Sequence, residues 1–238
     1  MYDLSGKGAI VTGGTRGIGR AIALALLARG ASVVINGQSE ASVDSALMEL
    51  DHDNLFGFCG DVSDEDTVIA MFDYAVEVLD SVDILINNAG IAIGGPTPDM
   101  DLESFQRVLD INLTGTFLCA REAMRIMQEQ GSGRIINIGS ISSQVPRKGS
   151  VPYTTSKFGI QGMTRALAIE GRDLGIMVSC VHPGSVYTDF WNDRPNEEPK
   201  MQPIEVAQVV MAMLSLPQDV NLIDATILNQ TQPFLGRG

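Results

Sequence analysis

A tyrosine and a lysine four residues apart, Tyr153 and Lys157, follow Ser140 in a stretch that runs from the serine to Tyr153-Thr154-Thr155-Ser156-Lys157. On a helix, side chains four apart stand one above the other on the same face, so an ammonium at 157 can act on a phenol at 153. A free phenol, with a pKa of about 10, is a weak acid-base partner at neutral pH, and lowering it to about 7 takes roughly 4 kcal/mol. A cation about 4 Å away, at an effective dielectric of about 20, contributes about that much before desolvation is subtracted. One lysine is nearly enough, and a second positive charge would complete the shift. The stretch reads as a proton-transfer site.

A helix is expected to carry the pair. Ser150 can serve as its N-cap, Pro152 fits the first turn, and Phe158, Met163, Ala166 and Leu167 lie at helical spacing as far as about Glu170. Gly171 and Gly175 then mark its end.

The elements before it alternate between short apolar runs and helical patterns. Gly8 to Val11 reads as a strand, Thr12-Gly13-Gly14-Thr15-Arg16-Gly17-Ile18-Gly19 as a glycine loop, and Arg20 to Arg29 as a helix. Glycines there let the backbone approach a pyrophosphate, which the unpaired N–H groups of the following helix attract. Ser32 to Asn36 is the second strand, and the residues after it are Gly37-Gln38-Ser39. A carboxylate that would bond an adenosine ribose 2′-hydroxyl is missing at this strand end, and Arg16 could pair with a 2′-phosphate or be a solvated loop residue. NADP(H) is favoured, with NAD(H) as the other choice.

Leu55 to Cys59 is a third strand, followed by Asp61 and Val62. Asp61 could meet an adenine amino group or cap the next helix, for which Ser63 and Asp64 also qualify. Asp83 to Ile86 is a fourth strand, closed by Asn87-Asn88-Ala89-Gly90. A single long helical stretch is predicted over about 102–130 with Asn112 inside it, an unfavourable place for an amide unless it is tolerated or does a job there. Gly133 to Ile138 and Met177 to Val181 are the fifth and sixth strands, the latter ending in His182-Pro183-Gly184. Residues 189–203 are expected to form a mobile loop beside the site, Pro203 to Leu214 a helix, and Ala225 to Leu228 a final strand. The unusual motifs all fall at the carboxyl ends of strands, where an open parallel sheet binds its ligand.

Length and composition agree with one Rossmann-type α/β domain, a doubly wound parallel sheet with helices on both faces. The 238 residues include 45% hydrophobic and 19% charged types, with 16 basic against 29 acidic side chains and a net charge of −13. That balance argues against nucleic-acid or anionic-membrane partners. The run Ala21 to Ala28 is too short to span a bilayer, and Lys7 followed by three apolar residues is no signal peptide, so a cytoplasmic protein is expected. Cys59, Cys119 and Cys180 read as reduced thiols, and His52 and His182 lack ligand spacing, so no metal is expected. His182 is expected to help shape a strand end.

With these motifs in this order from Lys7 to about Thr188, the chain resembles the short-chain dehydrogenase/reductase family, in its single-domain form. The resemblance implies that Tyr153 is the acid-base, that Ser140 holds the substrate oxygen, and that Lys157 tunes Tyr153 and binds the nicotinamide ribose. Asn112 would support a water relay to the lysine. It also implies cofactor contacts at Gly13, Thr15, Arg16, Gly17, Ile18, Gly19, Asn36, Asp61 and Val62. Further contacts would come from Asn88, Ala89, Gly90, Pro183, Gly184, Val186 and Thr188, besides Tyr153 and Lys157. Hydride transfer between NADP(H) and a carbonyl or secondary alcohol follows. A narrower version is 3-oxoacyl-[acyl-carrier-protein] reduction, with Arg121, Arg125 and Arg172 as the basic patch, and a version of another class is a non-catalytic dinucleotide sensor. The family pattern suggests a homo-oligomer, dimer or tetramer, although Asn229 to Gly238 lacks the usual acidic-glycine-glycine ending.

Overall fold

The computed structural model describes residues 3–188 and 200–234. One seven-stranded parallel sheet runs through it: β1 (Gly8–Val11), β2 (Ser32–Gly37), β3 (Leu55–Cys59), β4 (Ile84–Asn87), β5 (Gly133–Ile138), β6 (Ile176–Pro183) and β7 (Asp224–Ile227). Their spatial order is β3-β2-β1-β4-β5-β6-β7, so the winding reverses between β1 and β4. Ligand crevices of open α/β sheets lie at such a reversal.

The helices are α1 (Gly17–Leu27), α2 (Glu40–Leu50), α3 (Glu65–Val78), α4 (Leu102–Leu109), α5 (Gly115–Gln130), α6 (Val151–Glu170) and α7 (Pro203–Leu214). Strand residues alternate between two cores. Ala9, Val11, Val33, Ile35, Ile84 and Ile86 meet Ile22 and Leu26 of α1 and Val206 and Val210 of α7. Ile10, Val34, Leu85 and Ile135 face the other way, onto Met71 and Phe72 of α3 and Leu118 and Met127 of α5. Burial on both faces explains why these strands read as continuous apolar runs.

Two local expectations differ. The stretch predicted as one helix is divided: α4 and α5 are joined by a π turn, Asp110–Thr114, which holds Asn112. A π turn carries an extra residue and turns side chains out of α-helical register. Its cause is visible in the bonds of Asn112, described below. Ser150 holds the N-cap position of α6 and its carbonyl accepts from the Thr154 N–H at 2.7 Å, but its hydroxyl donates to the Arg147 carbonyl at 2.6 Å and meets Thr154 Oγ1 at 2.8 Å, so its side chain caps no backbone N–H. Pro152 does lie in the first turn, and α6 ends at Glu170 ahead of Gly175, whose φ is +71°.

Of the predicted loop 189–203, residues 189–199 lie outside the described part. The chain resumes where Met201 bridges to Val186 and leads into α7 at Pro203.

Candidate functional site

At the sheet reversal, β1 and β4 end side by side and their ends are stitched together. Thr12 Oγ1 accepts from the backbone N–H groups of Asn88 and Ala89 at 3.0 and 3.1 Å. The Asn88 amide donates to the Thr12 and Gly13 carbonyls at 3.0 and 2.9 Å. Above this seam lies a cleft of about 430 Å3.

The glycine loop forms one wall. Gly13 has φ +59°, and a Cβ there would stand 2.9 Å from Ala89 Cα, so only glycine keeps the backbone of this wall open to a ligand. Thr15, Arg16, Gly17 and Ile18 line the cleft, while Gly19 is buried where α1 begins. At the β2 end, Gln38, Ser39 and Ser42 line it and no carboxylate does. Asn36 also borders it, but its amide nitrogen donates to the Gly60 and Phe58 carbonyls at 3.0 and 3.4 Å, turned toward β3. Arg16 is exposed and carries no ion pair among the described residues.

Asp61 and Val62 sit at the end of β3. Asp64, not Asp61, caps α3 by accepting from the Thr67 N–H at 2.7 Å. Asp61 bonds Ser63 and pairs with Arg107 at 2.7 Å. Partial burial opposes its charge, yet the Ser63 bonds and Arg107 outweigh it and hold the carboxyl below its usual range. Arg107, on α4, was not singled out by the sequence; nothing local to it marks a partner 46 positions away.

The opposite wall carries Ser140, Tyr153 and Lys157. Ser140 follows β5, its Oγ accepts from the Ser142 N–H at 3.0 Å, and it stands beside the Tyr153 phenol, whose pKa it pulls down. Lys157 Nζ donates to the Ile138 carbonyl at 2.8 Å and stands 5.5 Å from the Tyr153 ring centroid. Helical spacing thus brings the pair together as expected. Burial pushes the Tyr153 phenol up to about 12, against the lowering pull of the Ser140 bond and the Arg147 charge. Burial also pushes Lys157 down to about 8, opposed by Cys180. Desolvation is the largest influence on both groups.

Asn112 lies beneath this wall, fully buried. Its Oδ1 accepts from the Ile91 N–H at 2.8 Å, and its Nδ2 donates to the Ile91 carbonyl at 2.9 Å and to Ser156 Oγ at 3.0 Å. The π turn aims this amide at the loop after β4, and Ser156 passes the contact on to the Tyr153 carbonyl at 2.7 Å. Gly90 borders the cleft beside it, and Pro183, Gly184, Val186 and Thr188 close the cleft from the end of β6. Gln232, which the sequence did not mark, is buried under that edge, accepting from the Ser185 N–H at 2.9 Å.

The cleft thus joins a glycine cradle, suited to a phosphate-bearing dinucleotide, to a buried serine, tyrosine and lysine. The short chain dehydrogenase family model matches residues 7–199. The chain is 35% identical over 241 residues to glucose 1-dehydrogenase 2 of Bacillus subtilis, covering 99% of this chain and 93% of that protein. It is 37% identical over 211 residues to a 3-oxoacyl-[acyl-carrier-protein] reductase of a Synechocystis species, covering 87% and 85%. The crystal structure of a proposed gluconate dehydrogenase of Agrobacterium tumefaciens superposes with a TM-score of 0.87 at 34% identity, covering 94% of this chain and 95% of the other. Motif, fold and likeness along almost the whole length agree: the chain belongs to the short chain dehydrogenase family of oxidoreductases, which work with a nicotinamide dinucleotide.

Proposed function

We propose that the protein interconverts a carbonyl compound and a secondary alcohol with NADP(H), using Tyr153 as the acid-base. The observation that carries this reading is that Ser140, Tyr153 and Lys157 line one cleft together with the glycine loop, with the Lys157 ammonium held by the Ile138 carbonyl.

Ser140 and Tyr153 fix the substrate oxygen with two hydroxyls. Because the phenol holds its proton up to about 12, it is protonated at neutral pH and ready to give that proton to the oxygen of a carbonyl being reduced. A nicotinamide held by the glycine loop would supply the hydride when reduced and would carry a positive charge when oxidised. In the oxidising direction Tyr153 must first give up its own proton to solvent, which the Arg147 charge favours, and its phenolate then takes the alcohol proton beside the Lys157 ammonium that the Ile138 carbonyl orients. Asn112 holds the wall in place through Ile91 and Ser156.

NADP(H) is favoured because the β2 end presents Gln38, Ser39 and Ser42 to the cleft without a carboxylate, and Arg16 stands beside them. The 3-oxoacyl-carrier reading draws support from the Synechocystis relative. Two of its three candidate arginines are engaged, however: Arg121 pairs with Glu65 and Glu122 at 2.7 and 2.8 Å, and Arg125 with Glu122 at 2.9 Å. A homo-oligomer is favoured by Phe117 on α5 and Phe158 and Ile169 on α6, all exposed apolar side chains.

The test is a panel of sugars, sugar acids, simple ketones and 3-oxoacyl thioesters with both nicotinamides, run on wild type and Tyr153→Phe. The variant should lose about a thousandfold in kcat and still bind cofactor. Unchanged turnover would sink the reading.

A further inference from the structure

Behind Ser140 lies a second group of polar side chains that the reading above leaves without a task. His182, on β6, is 0% exposed. Its Nδ1 is 2.8 Å from Ser143 Oγ and its Nε2 is 3.0 Å from Asp224 Oδ1 on β7. The other oxygen of Asp224 accepts from Arg165 Nη2 of α6 at 3.3 Å. With the Gln161 amide turned to satisfy both of its neighbours, its nitrogen donates to the Ser143 carbonyl at 3.1 Å and its oxygen accepts from Arg165 at 3.2 Å. Ser143, His182, Asp224, Arg165 and Gln161 therefore close a ring drawn from β6, β7, α6 and the short turn Ile141–Ser143.

The ring ends on the backbone that sets Ser140. Ser143 Oγ donates to the Ser140 carbonyl at 2.6 Å, the same turn in which Ser140 Oγ accepts from Ser142. A hydroxyl has one hydrogen, and here the Ser140 carbonyl receives it, so His182 Nδ1–H must be the donor toward Ser143 Oγ. The contact of Nε2 with Asp224 Oδ1 at 3.0 Å completes the ring. The imidazole is also pressed against the approach to Ser140: a Cβ on Gly139 would stand 2.6 Å from His182 Nδ1 and 2.8 Å from Cys180 Sγ. The ring runs from the exposed Arg165 inward to His182 and Ser143, both fully buried, and the buried part is favourable only when its polar atoms are satisfied, which makes its geometry specific.

We propose that His182 is a positioning residue, which acts through Ser143 to fix the Ser140 turn and so aim the Ser140 hydroxyl at Tyr153. This rests on the reading in which Ser140 and Tyr153 act on the substrate oxygen.

Two variants separate the contacts of the imidazole. His182→Asn puts an amide near the place of Nδ1, keeps a partner for Ser143 and gives up Asp224. His182→Gln puts an amide near the place of Nε2, keeps Asp224 and gives up Ser143. Full-length protein with saturating cofactor should show kcat within about threefold of wild type for His182→Asn and about thirtyfold lower for His182→Gln, a misplacement effect. KM for the cofactor should stay the same in both, because the glycine loop is untouched. Melting temperatures of both should fall by comparable amounts. Ser143→Ala, which keeps the imidazole and removes the link, should reproduce the kcat loss, and it carries the test if His182→Gln does not fold. Equal kcat losses in the two histidine variants, or a Ser143→Ala enzyme at wild-type rate, would overturn the proposal. A dead Tyr153→Phe beside a fully active Ser143→Ala would overturn the positioning role alone, whereas an active Tyr153→Phe would overturn the reading beneath it.

Discussion

The two walls of the cleft are built from different materials. The glycine-loop wall faces the cleft mostly with backbone: Gly13 at a positive φ, held from behind by a seam in which the Thr12 hydroxyl and the Asn88 amide bond backbone groups. The Tyr153 wall is mostly buried side chain, with Asn112, Ser140, Lys157 and Ser156 all at most 9% exposed. A wall of backbone follows from local conformational rules, whereas a wall of buried polar groups stands only while each has its partner. The first should respond to mutation through binding of the cofactor, and the second through stability and kcat together.

The largest effect of this contrast is expected at Asn112. Asn112→Ala removes three hydrogen bonds and strips both backbone groups of Ile91 of their partner, a loss of about 4 kcal/mol. Chemical denaturation should show it, and kcat should fall with it as the wall relaxes. A variant of wild-type stability would mean that the π turn needs no amide to form.

Lys157 comes next, because its own wall works against its charge. Its ammonium is pushed from 10.5 down to about 8 in the folded protein, a bias of roughly 3 kcal/mol against the charged form. Between about pH 8 and 10.5 the unfolded chain binds more protons at this site than the folded one. Its contribution to stability is therefore present above 10.5 and lost as pH falls through about 8. Lys157→Met should flatten that rise in cofactor-free protein, measured by denaturant titration at pH 7.5 and 9.5. An identical slope in the variant would place the charge elsewhere.

This division also explains what could be read from the sequence. The glycine loop, the strand runs and the Tyr153–Lys157 spacing are local patterns, and each stands where it was expected. The π turn was not legible, because Asn112 is committed to Ile91, 21 positions back, and an amide in a helical run does not reveal a long-range partner. His182 was read as shaping a strand end, but its partners Ser143 and Asp224 lie 39 and 42 positions away. The burial of the phenol is equally non-local: spacing gives the distance between two charges, not how much water they have lost.

At the glycine-loop wall a smaller effect is expected, and of another kind. Gly13→Ala must place a Cβ 2.9 Å from Ala89 Cα at a φ of +59°. A strain of about 2 kcal/mol at that point should weaken cofactor binding about thirtyfold and leave kcat at saturating cofactor little changed. A drop in kcat with intact affinity would erase the contrast between the walls.

The smallest effect falls on Arg16, at the exposed rim of the same wall. An exposed guanidinium paired with a phosphate is screened by water and salt, so it contributes about 1 kcal/mol. Arg16→Gln should raise KM for NADPH about fivefold and leave KM for NADH as it is, since only the 2′-phosphate distinguishes the two. The NADPH effect should shrink further as salt is raised. Equal changes for both nicotinamides would assign Arg16 to the shared pyrophosphate, and the choice between them would then rest on Gln38, Ser39 and Ser42 alone.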